Sequence, residues 1–291
     1  MNLHNKCLIC DSERIRDMKD YEVIRLCRCS NCNFVFSRII PTKQELYNYY
    51  QGYGLNSYLS PLTIKRYNQL LDKFEPYRKT NKILDFGCGT GYFLIEAKKR
   101  GWEVYGVELS QEAIKQCVQK NISTSKDIIH ILGYEKEMFD VIVSIEVLEH
   151  INNPNEELTN FRSILRKGGL VYVTTPNFNS VLRHYLKAKY NIIKYPEHLT
   201  YYTPATLKKV FEINGFKKIK IETTGLSSTR LKTSKGKSTQ RIISPVSDDE
   251  KIRNSIEDKI HMRLLKRTVN SLLTVIGSGD SLKGWFVKSS D

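Results

Sequence analysis

The stretch KILDFGCGTGYF, residues 82–93, decides the fold of this chain. Its first half, KILDF, is a short apolar segment typical of a buried strand that brings Asp85 to its end. A loop with glycine at every second position follows, and YFLIEAKKRG then has the pattern of a helix that stops at Gly101. A strand, a glycine loop and a helix in this order predict the first unit of an α/β sheet.

Strands and helices continue to alternate from Asn81 to about residue 224. The segments with strand patterns are WEVYGVEL, FDVIVSIEVL, LVYVTTPN and FKKIKIET, and those with helix patterns are QEAIKQCVQK, NPNEELTNFRSILRKGG and ATLKKVFEING. Ser110 and the Thr203–Pro204 pair supply helix starts, and the Gly-Gly pair after Lys167 supplies a helix end. The alternation predicts a Rossmann-like, doubly wound and mostly parallel sheet with helices on both faces.

The glycine loop indicates the kind of ligand that such a sheet would bind. Gly87, Gly89 and Gly91 are spaced G-x-G-x-G, which differs from the G-x-G-x-x-G of dinucleotide-binding loops. Ligands of open α/β sheets bind at the carboxyl ends of the strands, where this loop lies. Because glycines let the backbone approach a ligand closely, the loop suits the methionine part of S-adenosylmethionine (SAM) better than a pyrophosphate.

Three acidic residues near the strand ends fit the remaining parts of SAM. Asp85 suits a partner that carries an ammonium group, and Glu108 at the end of the second strand can accept hydrogen bonds from both ribose hydroxyls. Asp127, beyond the third strand, is placed to meet the adenine amine. The alternative is that Asp85 and Glu108 are surface acids that cap helices, but the whole strand–loop–strand unit favours a cofactor site.

The start of the chain contains a metal-binding pattern. Four cysteines form two C-x2-C pairs that are 18 residues apart, namely Cys7 with Cys10 and Cys29 with Cys32. Four thiolates at this spacing predict a closed, structural zinc site in a zinc ribbon over residues 1–40. A segment this small buries too little apolar surface to fold without such a staple. Between the pairs, the alternating stretch Tyr21–Leu26 has a strand pattern. Cys27 could replace Cys29 as a ligand, but its spacing from Cys32 would then be wrong, so it is not assigned.

Four segments together resemble the successive motifs of class I SAM-dependent methyltransferases: ILDFGCGTGYF, VYGVELS, FDVIVSIEVLEHINNP and LRKGGLVYVTTPN. The resemblance spans residues 80–224, and it implies that the glycine loop, Glu108 and the two aspartates bind SAM. It also implies a last, antiparallel strand between the fifth and the sixth, which SLKGWFVK at residues 281–288 fits. Residues 225–280 would then be an insertion with a polar linker and one or two helices, about Asp248 to Val275.

The segment KYPEHLTYYTP, residues 194–204, follows the fifth strand and would lie at the same edge of the sheet. A zinc module, a tyrosine-rich segment and Tyr-x-Glu-His after strand five together resemble deoxysugar C-methyltransferases. That resemblance implies that Tyr195, Glu197 and His198 take part in removing the acceptor's proton, with His198 as general base. His150 matches an earlier histidine of that group approximately. The alternative is that both histidines only hydrogen-bond to neighbouring loops or turns.

The charge of the chain bears on its partners. The formal net charge is +15, and residues 183–241 carry 14 Lys and Arg against three Glu. This region is either a solvated surface or faces something anionic, such as a phosphate-bearing acceptor, a nucleic acid or a membrane surface. We expect no transmembrane helix, because no run of about 18 apolar residues exists. The start lacks a signal-peptide pattern, so a cytoplasmic location with reduced thiols is expected.

The sequence therefore predicts a SAM-dependent methyltransferase with structural Zn²⁺ and an anionic small-molecule or glycan-precursor acceptor that is sugar-like or nucleotide-sugar-like. The methyltransferase domain would occupy residues 81–291. A tyrosine-rich helical linker or lid at residues 41–80 would connect it to the ribbon, excluding water from the acceptor pocket or simply packing on the domain. One alternative is an RNA methyltransferase that grips RNA with the zinc module and the basic region. Another is a SAM-binding scaffold without enzymatic activity.

Overall fold

The computed structural model describes residues 2–50, 58–126, 136–236 and 248–289. The strands are β1 (Asn2–Leu3), β2 (Ile15–Asp17), β3 (Leu26–Cys29), β4 (Val35–Ser37), β5 (Ile39–Ile40), β6 (Lys82–Phe86), β7 (Glu103–Val107), β8 (Ser123–Ser125), β9 (Phe139–Ile145), β10 (Leu165–Pro176), β11 (Thr200–Tyr201), β12 (Phe216–Thr224) and β13 (Ser281–Lys288). The helices are α1 (Lys43–Tyr50), α2 (Pro61–Phe74), α3 (Tyr92–Lys99), α4 (Gln111–Gln119), α5 (Pro154–Ile164), α6 (Val181–Leu186), α7 (Pro204–Ile213), α8 (Ser228–Ser234), α9 (Asp248–Asp258) and α10 (Ile260–Ile276). Within these ranges, every helix is too short or too polar to cross a lipid bilayer.

The largest sheet has seven strands in the spatial order β12–β13–β10–β9–β6–β7–β8. The pairs from β10 to β8 are all parallel. Strand β13 lies between β10 and β12 and is antiparallel to both. The predicted mostly parallel sheet is thus confirmed, and the segment 281–288 occupies the position expected for the last strand.

Apolar side chains cover both faces of this sheet. On the central strand β9, Val141 and Val143 join an apolar cluster with Phe74 of α2 on one face. Ile142 joins a second cluster with Phe161 of α5 on the other face. Because helices cover both faces, ligands can reach the sheet only at the edges where the loops emerge. The carboxyl ends of β6, β7 and β9 lie side by side at one such edge.

Side-chain caps fix the starts of three helices. Ser60 accepts a hydrogen bond from the Leu62 amide at the start of α2, and Ser110 accepts one from the Ala113 amide at the start of α4. Thr203 forms a reciprocal capping box with Thr206 at the start of α7. Each cap satisfies an amide that the first helical turn leaves without an intrahelical partner.

The N-terminal segment forms a small sheet of its own in the order β11–β4–β3–β2. Its fourth strand, β11, comes from the segment after β10, with Thr200 paired to Phe36 and Tyr201 paired to Val35. The ring of Phe34 also packs at 5.2 Å from that of Tyr202. The predicted ribbon at residues 1–40 therefore shares a sheet and an apolar core with the α/β part of the chain. The domain boundaries drawn at residues 40 and 80 stay predictions.

Two local predictions need correction. The alternating stretch Tyr21–Leu26, which has a strand pattern, contains a 3₁₀ turn at Glu22–Ile24, and the backbone of Arg25 adopts φ +46° before β3 begins. The helix expected to run to the Gly-Gly pair ends at Ile164. Leu165 already pairs with Phe139 in the sheet, and long-range pairing of this kind outweighs local helix propensity.

The predicted insertion is helical where the sequence indicates. Helices α9 and α10 cover most of the expected range from Asp248 to Val275. The structure adds α8, which lies partly in the segment expected to be a polar linker. Thr223 of β12 donates a hydrogen bond to the Leu273 carbonyl and its own carbonyl accepts one from Thr274, so α10 is attached to the edge of the main sheet.

Candidate active site

The glycine loop is held at the end of β6 by the neighbouring strand. The amides of Gly87 and Cys88 both donate to the carbonyl of Val107, at 2.8 and 3.0 Å. A side chain at Gly91 would come within 2.6 Å of Ile122, so this glycine is required for packing. Gly89 differs, because it has φ +52° and a Cβ there would meet nothing within 4 Å. Its backbone therefore borders open space that a ligand can enter.

Glu108 and Asp85 lie on either side of this loop. One carboxylate oxygen of Glu108 accepts from the Gly89 amide at 2.8 Å, and the other accepts from the amides of Leu109 and Ser110, both at 2.8 Å. Asp85 is 4% exposed. Its burial, and then the nearby charge of Glu108, raises its pKa to about 8. A cation placed at Asp85 would relieve both effects. Asp127 lies outside the described residues.

Two histidines meet at the same edge. His150 ends a 3₁₀ turn, Leu148–His150, that follows β9, and its ring lies 4.9 Å from that of His198 in an edge-to-face arrangement. The Nδ1–H of His198 donates to the Ile192 carbonyl at 2.7 Å, and that of His150 donates to the Glu197 carbonyl. These bonds assign the lone pair of each neutral ring to Nε2.

Burial keeps both rings neutral. It lowers the pKa of His150, and burial together with the neighbouring His150 lowers the pKa of His198 to about 4. At neutral pH the two Nε2 atoms are therefore hydrogen-bond acceptors or metal ligands. The structure thus brings together His150 and His198, which the sequence predicted for this edge.

Glu149, which was not among the predicted site residues, is 2% exposed and stands next to these histidines. Its Oε1 lies 3.8 Å from Nε2 of His150. Burial, and then the charge of Glu146, raises the pKa of the Glu149 carboxyl well above its usual range. The letters EVLEH contain this carboxylate next to the histidine, so the signal was available in the sequence.

Glu197 and Tyr195 face the tyrosine-rich segment. Glu197 pairs with Lys194 at 2.8 Å, and Lys194 donates to the hydroxyl of Tyr49 at 3.0 Å. Tyr195 lies beside Glu45, and burial followed by this charge raises its pKa. Helix α1 therefore packs against the segment 194–197. This is the position that the predicted lid over the acceptor edge would occupy. Residues 51–57 of the expected lid lie outside the described residues.

A second residue that sequence analysis missed comes from the insertion. Arg230 of α8 has Nη2 at 3.5 Å from a carboxylate oxygen of Glu146 and donates to the carbonyl of Asp280 at 3.1 Å. The other carboxylate oxygen of Glu146 accepts from the Thr174 hydroxyl at 2.9 Å. The insertion thus delivers a cation to the ends of β9 and β10. Its position depends on long-range packing, and no local pattern signals it.

The thiols of Cys7, Cys10, Cys29 and Cys32 lie within 4.8 Å of one another. Two of the Sγ–Sγ distances are 3.4 Å, for Cys7 and Cys32, and 3.7 Å, for Cys10 and Cys29. A tetrahedral zinc with Zn–S bonds of about 2.3 Å needs Sγ atoms about 3.8 Å apart. Asn31 also donates to two of these thiols, from its amide to Cys29 and from Nδ2 to Cys10. The donor set therefore fits a zinc ion.

Cys27 is separate from this group. Its thiol donates to the Phe36 carbonyl at 3.5 Å, and burial raises its pKa to about 12. It therefore behaves as a buried apolar residue with a weak hydrogen bond.

Comparison with known proteins identifies a methyltransferase domain family that matches residues 55–221, more than half of the chain. A ubiquinone biosynthesis O-methyltransferase of Coxiella burnetii is 32% identical over 107 residues, 35% of this chain and 46% of the relative. An uncharacterised protein of Methanocaldococcus jannaschii is 29% identical over 163 residues, 56% of this chain and 66% of the relative. The chain spans about half the length of the Coxiella relative and just under two thirds of the Methanocaldococcus one.

Two solved structures have the same fold. A SAM-dependent methyltransferase from Archaeoglobus fulgidus has a TM-score of 0.53 at 22% identity, covering 84% of this chain and 98% of that one. Phosphoethanolamine N-methyltransferase 2 of Haemonchus contortus, solved with SAM, has a TM-score of 0.55 at 17% identity, covering 88% and 62%. At these identities the similarity concerns the fold alone.

Proposed function

This chain belongs to the methyltransferase domain family and is a SAM-dependent methyltransferase, and we propose that it methylates a small-molecule or glycan-precursor acceptor at the edge occupied by His150 and His198. The observation that carries this proposal is the pair of neutral imidazoles in edge-to-face contact, partly buried His150 after β9 and buried His198 before β11. Strand β9 lies beside β6, which carries the glycine loop. The name of the Coxiella relative supports a small-molecule acceptor. Lys194 and Arg230 beside this edge each pair with a carboxylate, Glu197 and Glu146. The proposal of an anionic acceptor, such as a sugar or nucleotide-sugar-like compound, therefore rests on the basic segment 183–241.

We further propose how the cofactor is held. Bound SAM supplies an electrophilic methyl group on its sulfonium. The open space beside Gly89 is suited to its methionine part, and the buried carboxyl of Asp85 is suited to its ammonium group. Glu108 stands at the end of the next strand, where a carboxylate can accept from both ribose hydroxyls. Asp127 keeps its proposed role beside the adenine amine.

The first prediction concerns Glu108. Replacing it in Glu108→Ala removes the acceptor of the ribose hydroxyls, and each hydrogen bond to a charged group contributes about 1.5–3 kcal/mol. Isothermal titration calorimetry should therefore find SAM affinity at least about tenfold weaker. Glu103→Ala, at the exposed start of the same strand, is the control and should bind SAM like the wild type. Equal affinity in Glu108→Ala and the wild type would refute the cofactor assignment.

For the acceptor side we propose that the acceptor's proton is removed at His198. Its Nδ1–H is engaged with the Ile192 carbonyl, so Nε2 is the nitrogen available for this step. Tyr195 and Glu197 hold the segment in place through α1, with the Tyr195 hydroxyl as a candidate donor to an acceptor oxygen. His150, packed against His198, is the second candidate for proton removal.

The second prediction separates binding from chemistry at this edge. His198→Ala should leave SAM affinity nearly unchanged. With labelled SAM and an acceptor supplied by an extract of the cells that produce the protein, the variant should transfer methyl groups roughly 10²–10⁴-fold more slowly, the usual share of general-base catalysis. His198→Asn should not restore the rate, because an amide does not take up the proton. The exposed His261 offers the control variant His261→Ala, which should transfer at the wild-type rate. Rates within a few-fold of wild type in both His198 variants would move proton removal to another residue, with His150 next to be tested.

We also propose that Cys7, Cys10, Cys29 and Cys32 hold one structural zinc ion. Four thiolates close the coordination sphere, so the ion would stabilise the N-terminal sheet and take no part in methyl transfer. Because that sheet contains β11, the ion would also support the segment that carries His198.

The third prediction tests the ligand choice. The wild type should contain about one thiolate-bound zinc per chain, and Cys29→Ser should lose it because three thiolates bind the ion far more weakly. Cys27→Ser is the matched control on the same strand and should keep its zinc. Elemental analysis of the three purified proteins measures this. The reverse pattern, with zinc lost only in Cys27→Ser, would show that the ligands are misassigned.

A further inference from the structure

Glu149, His150 and His198 form a second compact group of potential metal ligands. One ligand atom from each lies within 4.8 Å of the other two, and Nε2 of His150 is 3.8 Å from Oε1 of Glu149. A tetrahedral ion with bonds of about 2.1 Å needs ligand atoms about 3.4 Å apart. Small side-chain rotations therefore suffice to close the group around an ion.

The two rings are oriented in the way that metal-binding histidines usually are. A histidine ligand normally donates its other ring N–H to a carbonyl or carboxylate, which fixes the tautomer and the direction of the lone pair. Here the Nδ1–H of His198 donates to the Ile192 carbonyl at 2.7 Å, and that of His150 donates to the Glu197 carbonyl. These hydrogen bonds thereby fix the direction in which each Nε2 lone pair points.

The backbone around this group is also fixed. The Leu199 amide donates to the carbonyl of Glu149 at 2.7 Å, and the Thr200 hydroxyl donates to the carbonyl of Leu148 at 2.9 Å. These bonds tie the turn that carries two of the ligands to the segment that carries the third. Ligands from two distant parts of the chain are therefore held in constant relative positions.

The carboxylate of Glu149 is poorly satisfied without a cation. Its Oε2 is buried and, among the residues that the structure describes, makes no hydrogen bond of good geometry. The Thr175 hydroxyl is the nearby donor that partly offsets the rise in the pKa of this carboxyl. Burying a carboxylate oxygen without a partner is costly, and a bound cation would remove that cost. This atom and the two oriented imidazoles are independent observations that point to the same ligand.

We propose that Glu149, His150 and His198 bind one divalent transition-metal ion, and that a hydroxyl or keto oxygen of the acceptor completes its coordination. Two imidazoles and one carboxylate suit ions such as Mn²⁺, Fe²⁺ or Zn²⁺, whereas Mg²⁺ and Ca²⁺ prefer all-oxygen sites. Three protein ligands leave positions open for the acceptor, unlike the closed set of four cysteines.

This inference rests on the proposed methyl transfer and replaces the general-base role of His198, because an Nε2 that coordinates a metal cannot also take up a proton. A bound ion would lower the pKa of the coordinated acceptor group, so that its proton would pass to solvent. The methyl group would then move from the sulfonium to the acceptor and leave S-adenosylhomocysteine. The acceptor class follows from this arrangement: it carries an oxygen ligand at or next to the atom that is methylated.

Titration with Mn²⁺, followed by electron paramagnetic resonance of the free ion, tests the site. Thiolates prefer softer ions, so Mn²⁺ reports on the histidine group without displacing zinc from the cysteines. Wild-type protein that carries one equivalent of zinc, which the four cysteines take up in preference, should bind about one Mn²⁺ per chain. Even second-shell changes cost roughly 10–100-fold in metal affinity, so His198→Ala and Glu149→Gln should each weaken binding by at least that much. His261→Ala, which changes an exposed histidine of α10, should bind Mn²⁺ like the wild type.

SAM titration of the same samples shows whether each variant is folded and keeps the two proposals apart. Absence of Mn²⁺ binding in a wild type that binds SAM would overturn the metal site and leave the proposed methyl transfer standing. Unchanged Mn²⁺ affinity in both His198→Ala and Glu149→Gln would overturn this set of ligands. A wild type that binds Mn²⁺ but no SAM would instead count against the proposed function alone.

Discussion

The backbone of Leu199 joins three parts of this molecule. Its amide donates to the Glu149 carbonyl at 2.7 Å, and its carbonyl accepts from the Ser37 amide at 2.8 Å. The segment next to it continues as β11 in the N-terminal sheet. The turn after β9, the loop that carries His198 and the cysteine-containing module are therefore coupled by main-chain hydrogen bonds. Because buried backbone bonds are costly to break, this coupling fixes the two histidines relative to the main sheet.

The coupling explains how the two halves of the site are divided. The proposed cofactor half lies at β6 and β7, where the glycine loop borders open space and Glu108 holds the loop through the Gly89 amide. The proposed acceptor half is assembled from the turn after β9, the segment before β11 and Arg230 of the insertion. The first half is local in sequence, since residues 82–110 contain nearly all of it. The second half exists only when distant segments pack together.

That difference decides what the sequence could predict. The sheet, the glycine loop, the caps at Ser110 and Thr203 and the four cysteines are short-range patterns, and the structure contains all of them where they were expected. Arg230 was missed because its partners Glu146 and Asp280 are 84 and 50 residues away. Glu149 stands next to His150 in EVLEH, so its presence was readable, and only its approach to His198 depends on distant packing. Long-range pairing of Leu165 with Phe139 also explains why α5 ends at Ile164, before the Gly-Gly pair. For the histidines, the sequence indicated the edge but could not supply the tautomers, which depend on two carbonyls.

The most direct test of the account is to incubate the protein with methyl-labelled SAM and an extract of the cells that produce it, and then to separate small molecules, lipid-linked glycans and RNA. A methyltransferase with the acceptor edge described above should place the label in the small-molecule or glycan-precursor fraction. The label should disappear when His198→Ala replaces the wild type. Label recovered in RNA, or an unchanged yield of labelled small molecules with His198→Ala, would contradict the account.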